Sequence, residues 1–190
     1  MDLPSLRLTG RADVSVRPAS PADAAAIARV QRLTWQTAYR ELLPAAVLDG
    51  WDDAEVTATW RTAIASPPSP GHTVLVAVDA GAVVGFAATA PAEEGRELTV
   101  LLVEPRWGRR GHGSRLLAAV ADLARAAGAS VLTTWLPEQD TVTSRFLEAA
   151  GWAPAGPVQL LQSGDDAVRQ LCWHTRLDGD DPAADGEGTP

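Results

Sequence analysis

The sequence predicts an α/β fold: a single mixed, mostly antiparallel twisted sheet of about seven strands, with helices on both faces. Three observations indicate this fold. Segments with apolar residues at helical spacing alternate with short runs rich in valine and leucine. Some of these runs are joined by short turns, as in antiparallel hairpins. One pair is joined by a helix, as in a parallel crossover, and such helices pack on the faces of the sheet.

The amino-terminal part reads as a strand followed by a helix. Alternation over residues 14–17 predicts a short first strand. Ser20 is placed to cap a helix that has Pro21 at its first position. Apolar residues at mixed three and four spacing extend this helix to about Ala38, with one stripe facing a core.

A second helix follows a connection. Residues 39–50 are expected to form a loop or short turn around Leu43-Pro44. Asp52 or Asp53 then caps a helix whose apolar residues recur every four positions. The proline-rich stretch from Pro67 ends it.

A hairpin comes next. Residues 73–78 and 82–89 are predicted to be its strands, joined by the turn Asp79-Ala80-Gly81. Gly85 inside the second strand indicates a bulge or a close backbone neighbour. Residues 91–96 are expected to form a polar connection.

The central stretch predicts a strand, a glycine loop and a long helix. The run LTVLLV over residues 98–103 suits a strand buried on both faces. A loop containing two glycines precedes a helix from about Gly113 to Ala127, and Gly128 ends it. The inner face of this helix is predicted to contain Leu116, Leu117, Val120, Leu123 and Ala124.

The carboxy-terminal part completes the sheet. Residues 131–136 form a strand expected to lie parallel to the central one. Residues 141–150 form a helix capped by Asp140 or Thr141 and closed by Gly151. Two more strands, near residues 152–161 and 167–177, form a hairpin turned at Ser163-Gly164-Asp165.

These elements fit one domain in a chain of 190 residues. We expect residues 1–13 to be a loose lead-in and residues 14–177 to be the folded domain. Residues 178–190 are acidic and lack large apolar side chains, so we expect a disordered tail.

Composition excludes several classes of protein. The net charge of −8 argues against a nucleic-acid partner, and no apolar run approaches the ~18 residues that span a bilayer. The amino terminus lacks the pattern of a secretory signal, so a cytoplasmic location is the default. Cys172, the only cysteine, rules out an internal disulfide and a cysteine-based zinc cage, and it reads as a buried core residue. No metal is expected.

The glycine loop predicts an anion site. Backbone amides from Arg109 to Ser114, with the positive end of the following helix, suit a phosphate. The chain has no lysine, which excludes a Walker-type loop. Leu116 stands where a dinucleotide-binding loop has its third glycine, and the acid expected about twenty residues later is missing, so that interpretation is disfavoured.

The stretch VEPRWGRRGHGSRLL resembles the acetyl-CoA signature of the GNAT N-acetyltransferases, and the element order matches that family's acyl-CoA N-acyltransferase fold. The resemblance places Gly111 and Gly113 at the two glycine positions, and Arg109, Arg110, His112 and Ser114 supply the other amides. Gly108 stands where arginine or glutamine is usual, so a side-chain contact is lost there. The resemblance implies an acyltransferase that uses acetyl-CoA as donor.

In the family, the strand before the loop binds the pantetheine arm, which implies this role for Leu101, Leu102 and Val103. A second family signature is similar to DTVTSRFLEAAGW, where Phe146, Gly151 and Trp152 fit; Phe146 is placed among the cofactor-binding residues. Asp140 replaces the usual asparagine, and Leu147 replaces the tyrosine that protonates the departing thiolate. Because a thiol near pKa 8.5 leaves easily, this loss implies a slower enzyme or another donor, such as Ser144 or a water.

The expected mechanism is direct attack of an amine on the thioester, with the Val103 amide stabilising the oxyanion. Glu97 is preferred to Glu94 as general base, although a solvated carboxylate with no catalytic role fits either residue equally well. His72 and His174 are weaker candidates.

We expect Trp35, Tyr39 and Trp60 to line the acceptor pocket, although aromatic residues at helical spacing are common in cores. The acidic protein favours a cationic acceptor: an amino acid, a polyamine, an aminoglycoside or a protein N-terminus. The alternative function is a catalytically weak or inactive acyl-CoA-binding sensor or scaffold. The terminal hairpin leaves both a homodimer and a monomer open.

Overall fold

Seven strands form one mixed sheet in the order β1-β2-β3-β4-β5-β7-β6. This arrangement is seen in a computed structural model that describes residues 14–41, 45–163 and 166–178. All neighbouring strands are antiparallel except β4 and β5, which are parallel. The strands are β1 Val14–Pro18, β2 Thr73–Asp79, β3 Ala82–Ala92, β4 Gly95–Val103, β5 Val131–Pro137, β6 Ala153–Ser163 and β7 Asp166–Arg176. The predicted fold class is confirmed.

Five α-helices connect the strands within the described residues. They are α1 Ala24–Thr37, α2 Ala45–Asp49, α3 Asp53–Ala65, α4 His112–Ala126 and α5 Thr141–Ala149. The helix α2 corrects the prediction of a loop over residues 39–50; its five residues carry too little periodicity to signal a helix. Leu43-Pro44, the lead-in 1–13, the turn at 164–165 and the tail from 179 lie outside the described residues. No helix in the described ranges is long and apolar enough to cross a membrane.

Ser20 is a helix cap, as predicted, but the helix that it caps begins with a 3₁₀ turn. Ser20 caps this turn, Pro21–Asp23, which leads into α1. Its amide and hydroxyl both donate to Asp23 Oδ2, at 2.8 and 2.9 Å. Two guanidinium nitrogens of Arg17 donate to the Asp23 carboxylate at 2.8 Å. These hydrogen bonds, above all those of Arg17, hold the pKa of Asp23 well below its usual range and join β1 to α1.

The later helix ends follow the predicted caps. Asp52 Oδ1 accepts the amides of Ala54 and Glu55 at 2.7 and 3.0 Å. Asp140 Oδ1 accepts the Thr143 amide at 2.9 Å. Gly128 ends α4 at a φ of +78°, a conformation that glycine adopts without strain.

The hairpin of β3 and β4 is longer than predicted. Pro91 pairs with Arg96 and Ala92 with Gly95, so most of the expected connection is strand. Pro91 is tolerated because β2 stops pairing with β3 at Thr89, where the ladder beside it has ended. The expectation for Gly85 is confirmed: Val84 is bulged out of the ladder with β2, and a Cβ on Gly85 would lie 2.9 Å from Leu102 O.

Two apolar cores lie on opposite faces of the sheet. One packs α1 and α3 around Ile27, Phe86 and Leu102. The other packs α4 and α5 around Leu116 and Leu147. The predicted inner face of α4 is wrong at Leu123, which lies at the margin of the apolar stripe of this helix and is 42% exposed.

The prediction that strand β4 is buried on both faces is wrong. Leu98 and Leu102 are buried, but Thr99 is exposed and Val100 and Leu101 are half-buried. Thr99 is the extra residue of a bulge, since Thr89 pairs with Leu98 and Ala88 with Val100. The bulge turns the following residues toward an open space beside the strand.

Candidate active site

Strands β4 and β5 part after a short parallel contact. Only Arg96 pairs with Leu132 and Glu97 with Thr133. Just beyond these pairs, the Thr134 hydroxyl donates to Leu98 O at 2.7 Å instead of continuing the backbone ladder. The two strands therefore open a cleft in the middle of the sheet.

The hydrogen-bond phase of β4 turns two residues toward this cleft. The Glu104 amide donates to Val84 O at 2.9 Å, which makes this pair a hydrogen-bonded pair of the antiparallel ladder. Such pairs alternate with non-bonded ones, so Leu102 bonds to β3 while Leu101 and Val103 direct their amides and carbonyls away from it. Leu101, which lines the cleft, thus offers backbone groups to it, and Val103 directs its own to the same side of β4 just beyond the lining residues. The side chain of Leu102 is buried against α1.

The glycine loop brings further amides to the start of α4. Arg109 and Gly111 have left-handed φ angles of +58° and +80°. The Arg115 amide donates to Gly111 O at 3.0 Å, but the described residues provide no acceptor for the amides of residues 111–114. These amides point out at the positive end of a fifteen-residue helix. The arrangement is suited to binding a phosphate group.

The side chains of the glycine loop are partly buried and partly exposed. His112 is buried, with Nε2 3.1 Å from Asp79 Oδ2, and neither of its ring nitrogens makes a hydrogen bond within the described residues. The Arg110 guanidinium lies 4.8 Å above the Trp107 ring. Arg109, Arg110 and Ser114 are exposed, so both arginines are open to a charged ligand.

A cavity of about 500 Å³ occupies the cleft. One wall is residues 98–102 of β4, and another is residues 134–137 of β5. The predicted acceptor residues Trp35, Tyr39 and Trp60 lie together on its wall. Phe146 joins the cavity to the loop, because its ring end lies 3.5 Å from where a Cβ on Gly113 would be.

Hydroxyl and carboxyl groups form a chain at one end of the cavity. The Thr143 hydroxyl donates to Asp140 Oδ2 at 2.6 Å, and the Tyr39 oxygen lies 3.3 Å from that hydroxyl. Burial and the charge of Asp140 raise the pKa of the Tyr39 phenol to about 12. Tyr39 therefore remains a neutral phenol across the physiological pH range.

The structure does not bring the predicted bases together with these residues. Glu97 is half-buried, outside the described lining of the cavity, and burial raises the pKa of its carboxyl. Glu94 lies in an exposed turn. His72 contacts the Ser69 hydroxyl at 3.0 Å, and His174 contacts Ala153 O at 3.2 Å. Cys172 is buried, as predicted for a core residue; burial and the charge of Glu97 raise the pKa of its thiol.

Several site residues were not predicted. Gln31 lines the cavity and accepts a hydrogen bond from the Trp60 indole N–H at 2.7 Å. It could have been predicted, because it lies four residues before Trp35 and therefore on the same face of α1. Thr143 lines the cavity, whereas the predicted substitute donor Ser144 lies outside the described lining. Thr143 stands at the alanine of the second signature.

Known proteins are similar to this chain in sequence. Residues 31–152 match the profile of the family described as acetyltransferase (GNAT). An uncharacterized N-acetyltransferase, YuaI of Bacillus subtilis (strain 168), is 33% identical over 134 residues, which cover 67% of this chain and 73% of the relative.

Solved structures share the fold at lower identity. An N-acetyltransferase from Staphylococcus aureus Mu50 superposes with a TM-score of 0.68 at 17% identity, covering 86% of this chain and 98% of that one. The structure of yncA from Salmonella typhimurium with acetyl-CoA gives a TM-score of 0.65 at 20% identity, covering 93% of this chain and 97% of that one. The paia N-acetyltransferase from Thermoplasma acidophilum with coenzyme A gives 0.65 at 14% identity, with 86% and 98% covered.

Proposed function

The chain belongs to the acetyltransferase (GNAT) family, and from this premise we propose that it moves the acetyl group of acetyl-CoA to a primary amine of a small molecule or peptide by direct attack. In that reaction the amine nitrogen bonds to the thioester carbonyl carbon. The carbon–sulfur bond then breaks with its electron pair going to sulfur, the nitrogen gives up a proton, and CoA leaves as a thiolate that becomes the free thiol on protonation.

One observation carries the proposal: two sets of outward backbone amides meet at one cleft. The amides of residues 111–114 suit the pyrophosphate, and those of Leu101 and Val103 suit the pantetheine arm. Phe146 lies between the two sets. Relatives of this fold that hold coenzyme A or acetyl-CoA support the same donor here.

Four groups are assigned roles in this reaction. Arg109 and Arg110 add charge to the loop amides, and the Val103 amide donates to the oxyanion. Glu97 is proposed as the base that takes the amine's proton, through water because its carboxyl lies outside the described cavity lining. Its raised pKa moves it toward the pH at which a base works best.

The acceptor is proposed to bind between Trp35, Tyr39 and Trp60. An outer cleft of about 350 Å³ shares Trp35 and Trp60 with the cavity and adds Asp52 and Glu55. Carboxylates on this path and the net charge of −8 favour a cationic amine. Amino acids, polyamines, aminoglycosides and peptide N-termini are the acceptor classes to test.

The test is release of free thiol from acetyl-CoA with a panel of these four amine classes. We expect turnover with at least one class, and a loss of at least about tenfold in kcat/KM for Gly111→Asp. An aspartate there places a negative charge and a strained φ among the loop amides.

Gly128→Asp is the matched control. Gly128 has nearly the same φ at the other end of α4, with open space around it, so this variant should keep its turnover. Binding of acetyl-CoA without turnover of any amine would favour the sensor or scaffold alternative. Absence of acetyl-CoA binding would contradict both functions.

A further inference from the structure

Three side chains connect a buried carboxylate to the proposed acceptor cavity. Asp140 is 5% exposed at the start of α5, Thr143 lies one turn into that helix, and Tyr39 follows α1. The contacts run from Asp140 Oδ2 to the Thr143 hydroxyl at 2.6 Å, and from there to the Tyr39 oxygen at 3.3 Å. Tyr39 and Thr143 both line the cavity.

The number of hydrogens fixes the direction of this chain. A carboxylate only accepts, so the single hydrogen of the Thr143 hydroxyl goes to Asp140. Tyr39 must then donate its own hydrogen to Thr143. The hydrogen of Tyr39 is used inside the protein, and its oxygen is left with lone pairs that can accept a hydrogen bond.

The charge of Asp140 also favours a hydrogen-bond donor, rather than an acceptor, next to Tyr39. The Asp140 carboxylate accepts hydrogen bonds from the Thr143 amide and hydroxyl, and among the described residues no cationic side chain pairs with it. A buried carboxylate without a cation makes the adjoining cavity electronegative.

We infer that the Tyr39 oxygen accepts a hydrogen bond from an N–H of the acceptor amine, so that Tyr39, held by Thr143 and Asp140, orients the amine in the cavity. The inference rests on the proposed function for the identity of the cavity as the acceptor site. It makes Tyr39 a substrate-binding residue and Thr143 and Asp140 positioning residues.

The rest of the cavity wall fits this assignment. The other hydroxyls on the wall, those of Thr99 and Thr134, donate to backbone carbonyls, and neither is connected to a carboxylate. Trp35 and Trp60 supply aromatic surface beside Tyr39. Indole rings stabilise a nearby ammonium.

Two probes of equal charge test the inference. Tyramine carries an ammonium with N–H groups, and its N,N,N-trimethyl analogue carries the same charge without them. In calorimetric titrations of the full chain, with and without saturating CoA, we expect the wild type to bind tyramine about tenfold more tightly than the analogue. Tyr39→Phe should reduce this preference to about one.

Thr143 gives the sharper variant. Thr143→Val removes the hydroxyl that accepts the phenol hydrogen and holds Tyr39 in place, so the preference for tyramine should be lost. Thr143→Ser keeps the hydroxyl and is the matched control, in which the preference should be kept. Thermal melting of each variant checks that the fold is retained.

Equal affinity of the wild type for both probes, including no measurable binding of either, would overturn the inference. So would a Thr143→Val variant that keeps the preference, or one whose kcat rises with unchanged amine KM, since that would make Tyr39 a donor to sulfur. Binding of tyramine through Tyr39 without any thiol release would instead overturn the proposed acetyl transfer and leave this contact in place.

Discussion

Glu97 lies on β4 directly before the segment that lines the cavity, and its carboxyl is half-buried. Burial raises its pKa, so the folded protein holds this proton more tightly than the unfolded chain does. The stability that this difference contributes is present at low pH and is lost as pH rises through the folded-state pKa. Ionised Glu97 therefore costs stability at neutral pH.

Glu97→Gln separates catalysis from stability. We expect kcat to fall by about 10²-fold at neutral pH and the acidic limb of the kcat/KM profile to disappear. At the same time the melting temperature at pH 7 should stay the same or rise, because a buried charge is removed. The measurements are a pH–rate profile and a thermal melt.

Glu94→Gln, in the exposed turn before β4, is the control and should leave both readings unchanged. An unaltered pH–rate profile in Glu97→Gln would remove Glu97 as the base.

Leu147 packs in the core and also lines the cavity. It is 1% exposed and lies in the core under α5, where it supplies no hydroxyl to a departing thiolate. In a helix, a side chain covers the turn that precedes it, so the surface that residue 147 covers is the turn that contains Thr143. Tyr39 makes a polar contact with that turn, through the Thr143 hydroxyl.

Between elements, an ion pair joins α1 to the end of β4. Arg29 donates to Glu104 Oε2 at 2.6 Å and to Val83 O at 2.8 Å. Glu104 is 3% exposed, and Arg106 also pairs with it. This contact fixes the strand end from which the glycine loop begins.

Arg29→Met should lower the free energy of unfolding by about 2 kcal/mol. Breaking a buried pair costs about 3–5 kcal/mol, and the loss is smaller here because Arg29 is 34% exposed and Arg106 remains. Urea unfolding measures it. Arg145→Met, on the exposed face of α5, should cost close to nothing, and an equal loss in both variants would contradict the role of the pair.

Elements whose ends depend on local chemistry could be predicted from the sequence. The caps at Asp52 and Asp140 and the stop at Gly128 act within one helical turn, so the residues that define them are neighbours in the chain. The place of Pro91 in a strand could not be predicted in this way, because whether a proline fits a strand depends on where the next strand ends. That information is not local.

Over the whole molecule, the glycine loop was predictable and the acceptor end of the site was predictable only in part. Trp35, Tyr39 and Trp60 could be named as candidates from their spacing. The contact of Tyr39 with Thr143 joins residues 104 positions apart, and no periodicity indicates it. The parting of β4 from β5 likewise depends on the assembled sheet.

We propose that the loop amides at residues 111–114 bind the pyrophosphate of acetyl-CoA. Calorimetric titration of S-acetylpantetheine, which lacks the phosphates, against acetyl-CoA tests it most directly. We expect the wild type to bind acetyl-CoA at least about tenfold more tightly, and Gly111→Asp to abolish the difference while Gly128→Asp keeps it. Equal affinity of the wild type for the two thioesters, or an unchanged difference in Gly111→Asp, would contradict the claim.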